Sequence, residues 1–269
     1  MKYIDPHIHC FSRTVDDYQN MARAGCVAVI EPAFWLGSDR KHAESFWDYF
    51  DHIIDFERAR ALKYGIHHFC MIAVNPKEAN DRPMALEAIS RMEEFLARPS
   101  VVGVGEIGYD RITDTEEEMM RRQIEIAEKH RYPILIHTPH VNKAEGTKRT
   151  IRVLQEMKID PKRVLMDHNT EETVEISLAG GYAVGFSLYP VTKMSPPRMV
   201  AILQKYGCER MIMNSAADWS QSDPLAIPKT IELMWGAGFT EAQVKKVAWD
   251  NPFQFFAQSD RFRIPGVNA

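Results

Sequence analysis

The sequence predicts an α/β protein, a single closed (β/α)8 barrel of the TIM type spanning residues 1–269. Three observations predict it. Short β-branched runs alternate with longer amphipathic ones, and eight such strand-helix units can be counted. No Ser/Gly-rich linker or composition shift divides the chain into halves. The length of 269 residues suits a barrel, which occupies about 250 residues as one unit, and 45% hydrophobic content supplies a sizeable core.

Each element has its own justification. Tyr3 to His9 reads as the first strand, and Thr14 to Ala24 as a helix closed by Gly25. Cys26 to Ile30 is a second strand ending at Glu31-Pro32, after which a long connection, AFWLGSDRKH, reaches a helix. In that helix Phe46, Phe50, Ile53, Ile54 and Ala61 follow helical spacing. Ile66 to Val74 is a third strand, stopped by Asn75-Pro76. The alternation then continues: helix near Pro83 to Ala97, strand VVGVGE, helix near Glu116 to His130, strand PILIH, helix near Lys148 to Met157. Strand RVLMDH, a short helix near Glu171 to Ala179, strand YAVGFS, a helix near Arg198 to Tyr206 and strand RMIMN follow, with further helices after Asp223.

Charge and cysteine content narrow the function. A net charge of -4 and a pI near 6.2 offer no basic field for extended nucleic-acid binding. Cys10, Cys26, Cys70 and Cys208 lie far apart without a CxxC pair, which suits reduced thiols and a cytoplasmic location. Neither a signal-type apolar segment nor a membrane-length apolar run is present in the sequence, so no membrane partner is expected.

In such a barrel the chemistry sits at the C-terminal strand ends. There the sequence places His7 and His9 on the first strand, Glu31 on the second, Glu106 on the fourth, His137 on the fifth and His168 on the sixth. Ser187 ends the seventh strand, and Asn214 and Asp218 close the eighth. His7 and His9, two residues apart on a strand, would share one face. A charge ending a buried apolar strand such as VVGVGE is costly unless paired or bound to a metal. A lone histidine there is more often a satisfied hydrogen-bonding residue, but four histidines with two acids at one mouth predict a site for Zn, Mn or a related divalent ion. His42, His52 and His130 read as surface residues, and His67 and His68 as strand packing.

The order of HxH, GVGEIGYD, ILIHTPH, LMDHN and a late Asp resembles the TatD family of metal-dependent hydrolases in the amidohydrolase superfamily, over nearly the whole chain. The segments DPHIH, EPAFWLG, NPKEAN, GEIGYD and NSAADW look like a bacterial branch distinct from the DNase members. The resemblance implies two divalent ions, with Zn first and Mn, Mg, Co or Ni as alternatives. His7, His9 and Asp218 would hold one ion, His137 and His168 the other, and Glu106 would bridge them. Asn214 to Ala217 intervene before Asp218, a departure from the usual strand-eight pattern that leaves Asp223 as the fallback.

Paired ions would activate water to hydroxide near neutral pH, with Asp218 taking the proton. The expected reaction is hydrolysis of a phosphoester on a small, phosphorylated molecule, or on a nucleic-acid end. Arg111, Lys143 and Lys193 are the candidate phosphate-facing cations, and Glu31, Tyr109, His140 and Trp219 complete the candidate substrate residues. Alternatives are amidase, lactonase or deaminase chemistry, with Phe34, Trp35, Tyr109, Tyr189 and Trp219 lining an apolar pocket, or a silent metal-bearing binding protein in a biosynthetic pathway. The loop FWLGSDRKHAESFW reads as a lid or as packing.

Overall fold

A computed structural model of the protein describes residues 1–190 and 192–267. Eight parallel strands form one sheet in sequential order: β1 Tyr3–Asp5, β2 Cys26–Pro32, β3 His67–Ile72, β4 Val101–Gly108, β5 Ile134–His137, β6 Val164–Asp167, β7 Ala183–Ser187 and β8 Met211–Asn214. The segments after β1 and β8 stitch the seam: Ala216 N–H donates to His7 O at 2.8 Å and His9 N–H to Ala217 O at 2.9 Å. The architecture is the (β/α)8 barrel that the alternation predicts.

Helices occupy the connections: α1 Val15–Arg23, α2 Glu44–Asp51, α3 Arg58–Leu62, α4 Arg82–Ser90, α5 Met92–Leu96, α6 Asp114–His130, α7 Lys143–Glu156, α8 Val174–Ala179 and α9 Pro196–Tyr206. After β8 come α10 Ala226–Gly236, α11 Glu241–Lys245 and α12 Asn251–Phe256. Capping boxes at Thr14 and Thr113 satisfy free N–H groups at the starts of α1 and α6. The helix expected from Pro83 to Ala97 is two, because Arg91 leaves the helical region at φ -109°, ψ 5°. The helix expected from Lys148 begins five residues earlier, at Lys143. None of the described helices is long and apolar enough to cross a membrane.

Alternation along the strands separates an inner core from an outer one. Ile4, Ala28, Ile30, Phe69, Met71, Val102, Leu135, Leu165 and Ile212 cluster together with Phe255, Phe256 and Phe262. Val29, Val184, Phe186, Met211 and Met213, or Cys70, Ile72, Ile134, Ile136 and Met166, instead pack with the helices. Because the strand period is two, these inner residues set which later side chains reach the barrel axis. Leu135 predicts His137, Leu165 predicts Asp167, and Ile212 predicts Asn214.

Candidate metal centre

At the C-terminal mouth three imidazoles crowd one carboxylate oxygen. Glu106 Oε1 lies 2.8 Å from His168 Nε2, 3.0 Å from His137 Nδ1 and 3.5 Å from His7 Nε2. His9 Nε2 is 3.2 Å from His7 Nε2. All five residues are buried. The histidine pair converges although β1 ends at Asp5, earlier than the strand expected through His9: Ile8 N–H still bonds Ile30 O at 3.2 Å, which keeps this segment beside β2.

The surroundings aim these groups. Asp167 Oδ2 stands 2.6 Å from His7 Nδ1, and Asn214 Nδ2 donates to both Asp167 oxygens at 2.9 and 3.1 Å. With Nδ1–H donated to Asp167, His7 turns the lone pair of Nε2 toward the centre. His168 Nδ1 is 2.6 Å from Ser187 Oγ. Glu106 Oε2 accepts from Asn75 Nδ2 at 3.0 Å. His168 would point outward by alternation after Asp167, but its φ of +58° swings the ring back into the mouth. Lys143 Nζ helps to hold that turn, donating to His168 O at 2.9 Å and to Thr138 Oγ1 at 3.1 Å.

The electrostatics suit a bound cation. Burial pushes the Glu106 carboxyl up, but His7 and His137, with hydrogen bonding to His137 and His168, outweigh it and hold it well below the ordinary range. Burial, aided by His7 at His9 and by Lys193 at His168, depresses those imidazoles well below their usual value. They are therefore neutral, the form that ligates. His9 Nδ1 and His137 Nε2 are buried polar atoms with no partner among the described residues. The atoms that converge are the other ring nitrogens, and His7 Nε2, His9 Nε2, His137 Nδ1 and His168 Nε2 around a buried carboxylate oxygen fit a divalent ion held by imidazole and carboxylate donors.

The remaining expected site residues divide. Lys193 reaches the centre, with Nζ 3.4 Å from His168 Nε2. His140 lies at the rim, its ring centroid 5.8 Å from that of His137 and 6.3 Å from that of His168. Asp218 is half-buried on the loop after β8, where its Oδ1 accepts from Tyr189 OH at 3.0 Å and Ser220 N–H at 2.7 Å, outside the His7-Glu106-His168 group. Asp223 bonds Leu225 N–H and Lys229 ahead of α10, so the fallback is a helix-start residue.

Four expected substrate contacts need correction. Glu31 follows inner Ile30, so alternation turns it outward, where it pairs with His68 at 2.8 Å and accepts from Phe11 N–H at 3.0 Å. It forms a separate buried group with Cys10 and His68. Tyr109 also points outward, its hydroxyl 2.7 Å from Glu117 Oε2. Arg111 is exposed and faces Asp110 on a neighbouring groove of about 700 Å³ that Trp35 and Lys77 also line. Lys143, expected to meet phosphate, is buried in the backbone contacts described above.

Asp167 and Asn75 escaped the sequence reading. For Asp167 the signal was present in LMDHN, since a charge on the inner face of an apolar strand needs a partner. Asn75 sits just past β3 and carries no such signal.

A family model described as TatD related DNase matches residues 4–257. An uncharacterised metal-dependent hydrolase of Methanocaldococcus jannaschii is 28% identical over 253 residues, covering 94% of this chain and 99% of that protein. The crystal structure of a TatD-like protein from Archaeoglobus fulgidus superposes with a TM-score of 0.79 at 25% identity, over 95% of this chain and 100% of the other. A phosphotriesterase homology protein from Escherichia coli, solved with phosphate in its active site, matches at TM-score 0.70 and 16% identity, over 95% and 98%.

Proposed function

The chain belongs to the TatD-related family of metal-dependent hydrolases, and from that premise we propose that it hydrolyses a phosphoester of a small molecule. His7, His9, Glu106, His137 and His168 would hold two divalent ions, zinc first. When bound, such ions supply Lewis acidity and lower the pKa of water toward about 7.

The chain's own groups do the rest. Asp167 fixes the His7 tautomer, Ser187 orients His168, and Asn75 orients Glu106. Asp218, oriented by Tyr189 and Ser220, is the proposed proton carrier rather than a ligand, because its recorded contacts lie with those residues. The observation that carries the phosphoester reading is Lys193, a half-buried ammonium at the edge of the histidine cluster and 5.3 Å from the Tyr189 ring centroid. Burial lowers its pKa, while Glu106, Asp167 and Asp218 oppose that shift. A cation beside the centre suits an anionic phosphoryl oxygen.

The second reading is a lactone or amide, favoured by the apolar side of the mouth, where the Phe34 ring stacks on His9. The test is a turnover panel on zinc-loaded protein with matched aryl phosphates, lactones and anilides. Phosphate turnover that drops about 10- to 100-fold in kcat/KM for Lys193→Met is the expected result. Turnover of lactones or anilides alone, indifferent to Lys193, would establish the second reading.

A further inference from the structure

The mouth has two chemically distinct sides. Beside the histidine cluster rises an aromatic wall: Phe34 lies face to face on His9 at 3.8 Å and 14°, and its centroid is 5.2 Å from that of Trp219. Trp219 in turn meets Trp35 at 5.6 Å and Phe11 at 5.5 Å. The wall is built from three distant stretches of chain, following β1, β2 and β8. Gly37 lets the β2 loop close on the indole: its φ is +81°, and a Cβ there would stand 3.2 Å from Trp219 Cζ2.

Ordinary packing would bury these rings. Phe34 is buried, yet Trp219 keeps 41% of its surface exposed, and Leu36, next to Trp35 in the chain, keeps 39%. A large ring held by three aromatic neighbours, left open on the residue that directly follows Asp218, is a preformed surface for another flat group. Lys77 Nζ, 5.3 Å from the Trp35 ring centroid, adds a cation at the outer edge.

We infer that this wall is the subsite for the part of the substrate that is not attacked, that this part is a flat aromatic group, and that Trp219 is the residue that selects it. The inference rests on the mouth being a hydrolytic metal centre. The substrate would lie with its anionic head toward Lys193 and its ring along Phe34, Trp35 and Trp219. An aliphatic ester with the same head would leave the indole exposed and bind about 10-fold more weakly.

Calorimetric binding to the zinc-loaded full chain tests this with two probe pairs: phenylphosphonate against methylphosphonate, and benzoate against acetate. The expected result is an aryl preference of about 10-fold or more that collapses toward unity in Trp219→Ala, survives in Trp219→Phe, and leaves metal content unchanged. Aryl preference in the carboxylate pair with no phosphonate binding supports the wall and sinks the phosphoester reading instead. Equal binding within both pairs, binding of none of the four, or a preference untouched by Trp219→Ala overturns the inference.

Discussion

Asp167 illustrates how much one uncharged-to-charged position at a strand end can control. Its two oxygens take His7 Nδ1, both bonds from Asn214 and the His168 N–H at 2.7 Å, so its acceptor capacity is used on positioning. Burial pushes its carboxyl up, but His168 and the hydrogen bond to His7 hold it far below the usual range. It is thus an orienting anion for the proposed ligand His7, a role whose loss costs about 10- to 100-fold in metal affinity. Asp167→Asn should therefore weaken zinc binding by that factor in a chelator competition while the metal-free protein keeps its unfolding midpoint; unchanged affinity would remove Asp167 from the centre. The clustered histidines were legible because their residue type stands out after apolar runs. Asp167 was overlooked beside His168, and the left-handed turn that lets both neighbours face inward leaves no mark in residue type.

At the scale of the strand, the same axis constrains β7. Gly185 lies on the inner face between outward Val184 and Phe186, and a Cβ there would stand 2.3 Å from Asp167 Oδ1. Gly185→Ala should displace that carboxylate, costing about 1–3 kcal/mol in denaturant unfolding together with a fall in zinc affinity. Wild-type values for both would show that the strand yields without disturbing Asp167. The succession of eight strand-helix units made the barrel readable from sequence, whereas the residues that face its axis came with the structure. The outward turns of Glu31 and Tyr109 followed from the strand period of two, anchored on Ile30 and on outward Ile107, but only once the inner face was known. Ends were less legible: Pro6 follows a strand of only three residues, and His7 to His9 keep their place through bonds to β2 and to the loop after β8.

Across the whole molecule, the centre gathers side chains from the ends of β1, β4, β5 and β6, with support from β7 and β8. The seam bonds between residues 7–9 and 216–217 bring the two ends of the sheet to this same place, so a metal held there would tie distant parts of the chain together. Family membership and the four imidazole nitrogens that converge around the Glu106 carboxylate both point to that metal. The most direct test is elemental analysis of protein purified without added metal or chelator, compared with His7→Ala and Glu106→Gln. Two divalent ions per wild-type chain, with clear loss in both variants at unchanged circular dichroism, is the predicted result. A wild-type chain that carries no metal and takes up neither zinc nor manganese on incubation would contradict it.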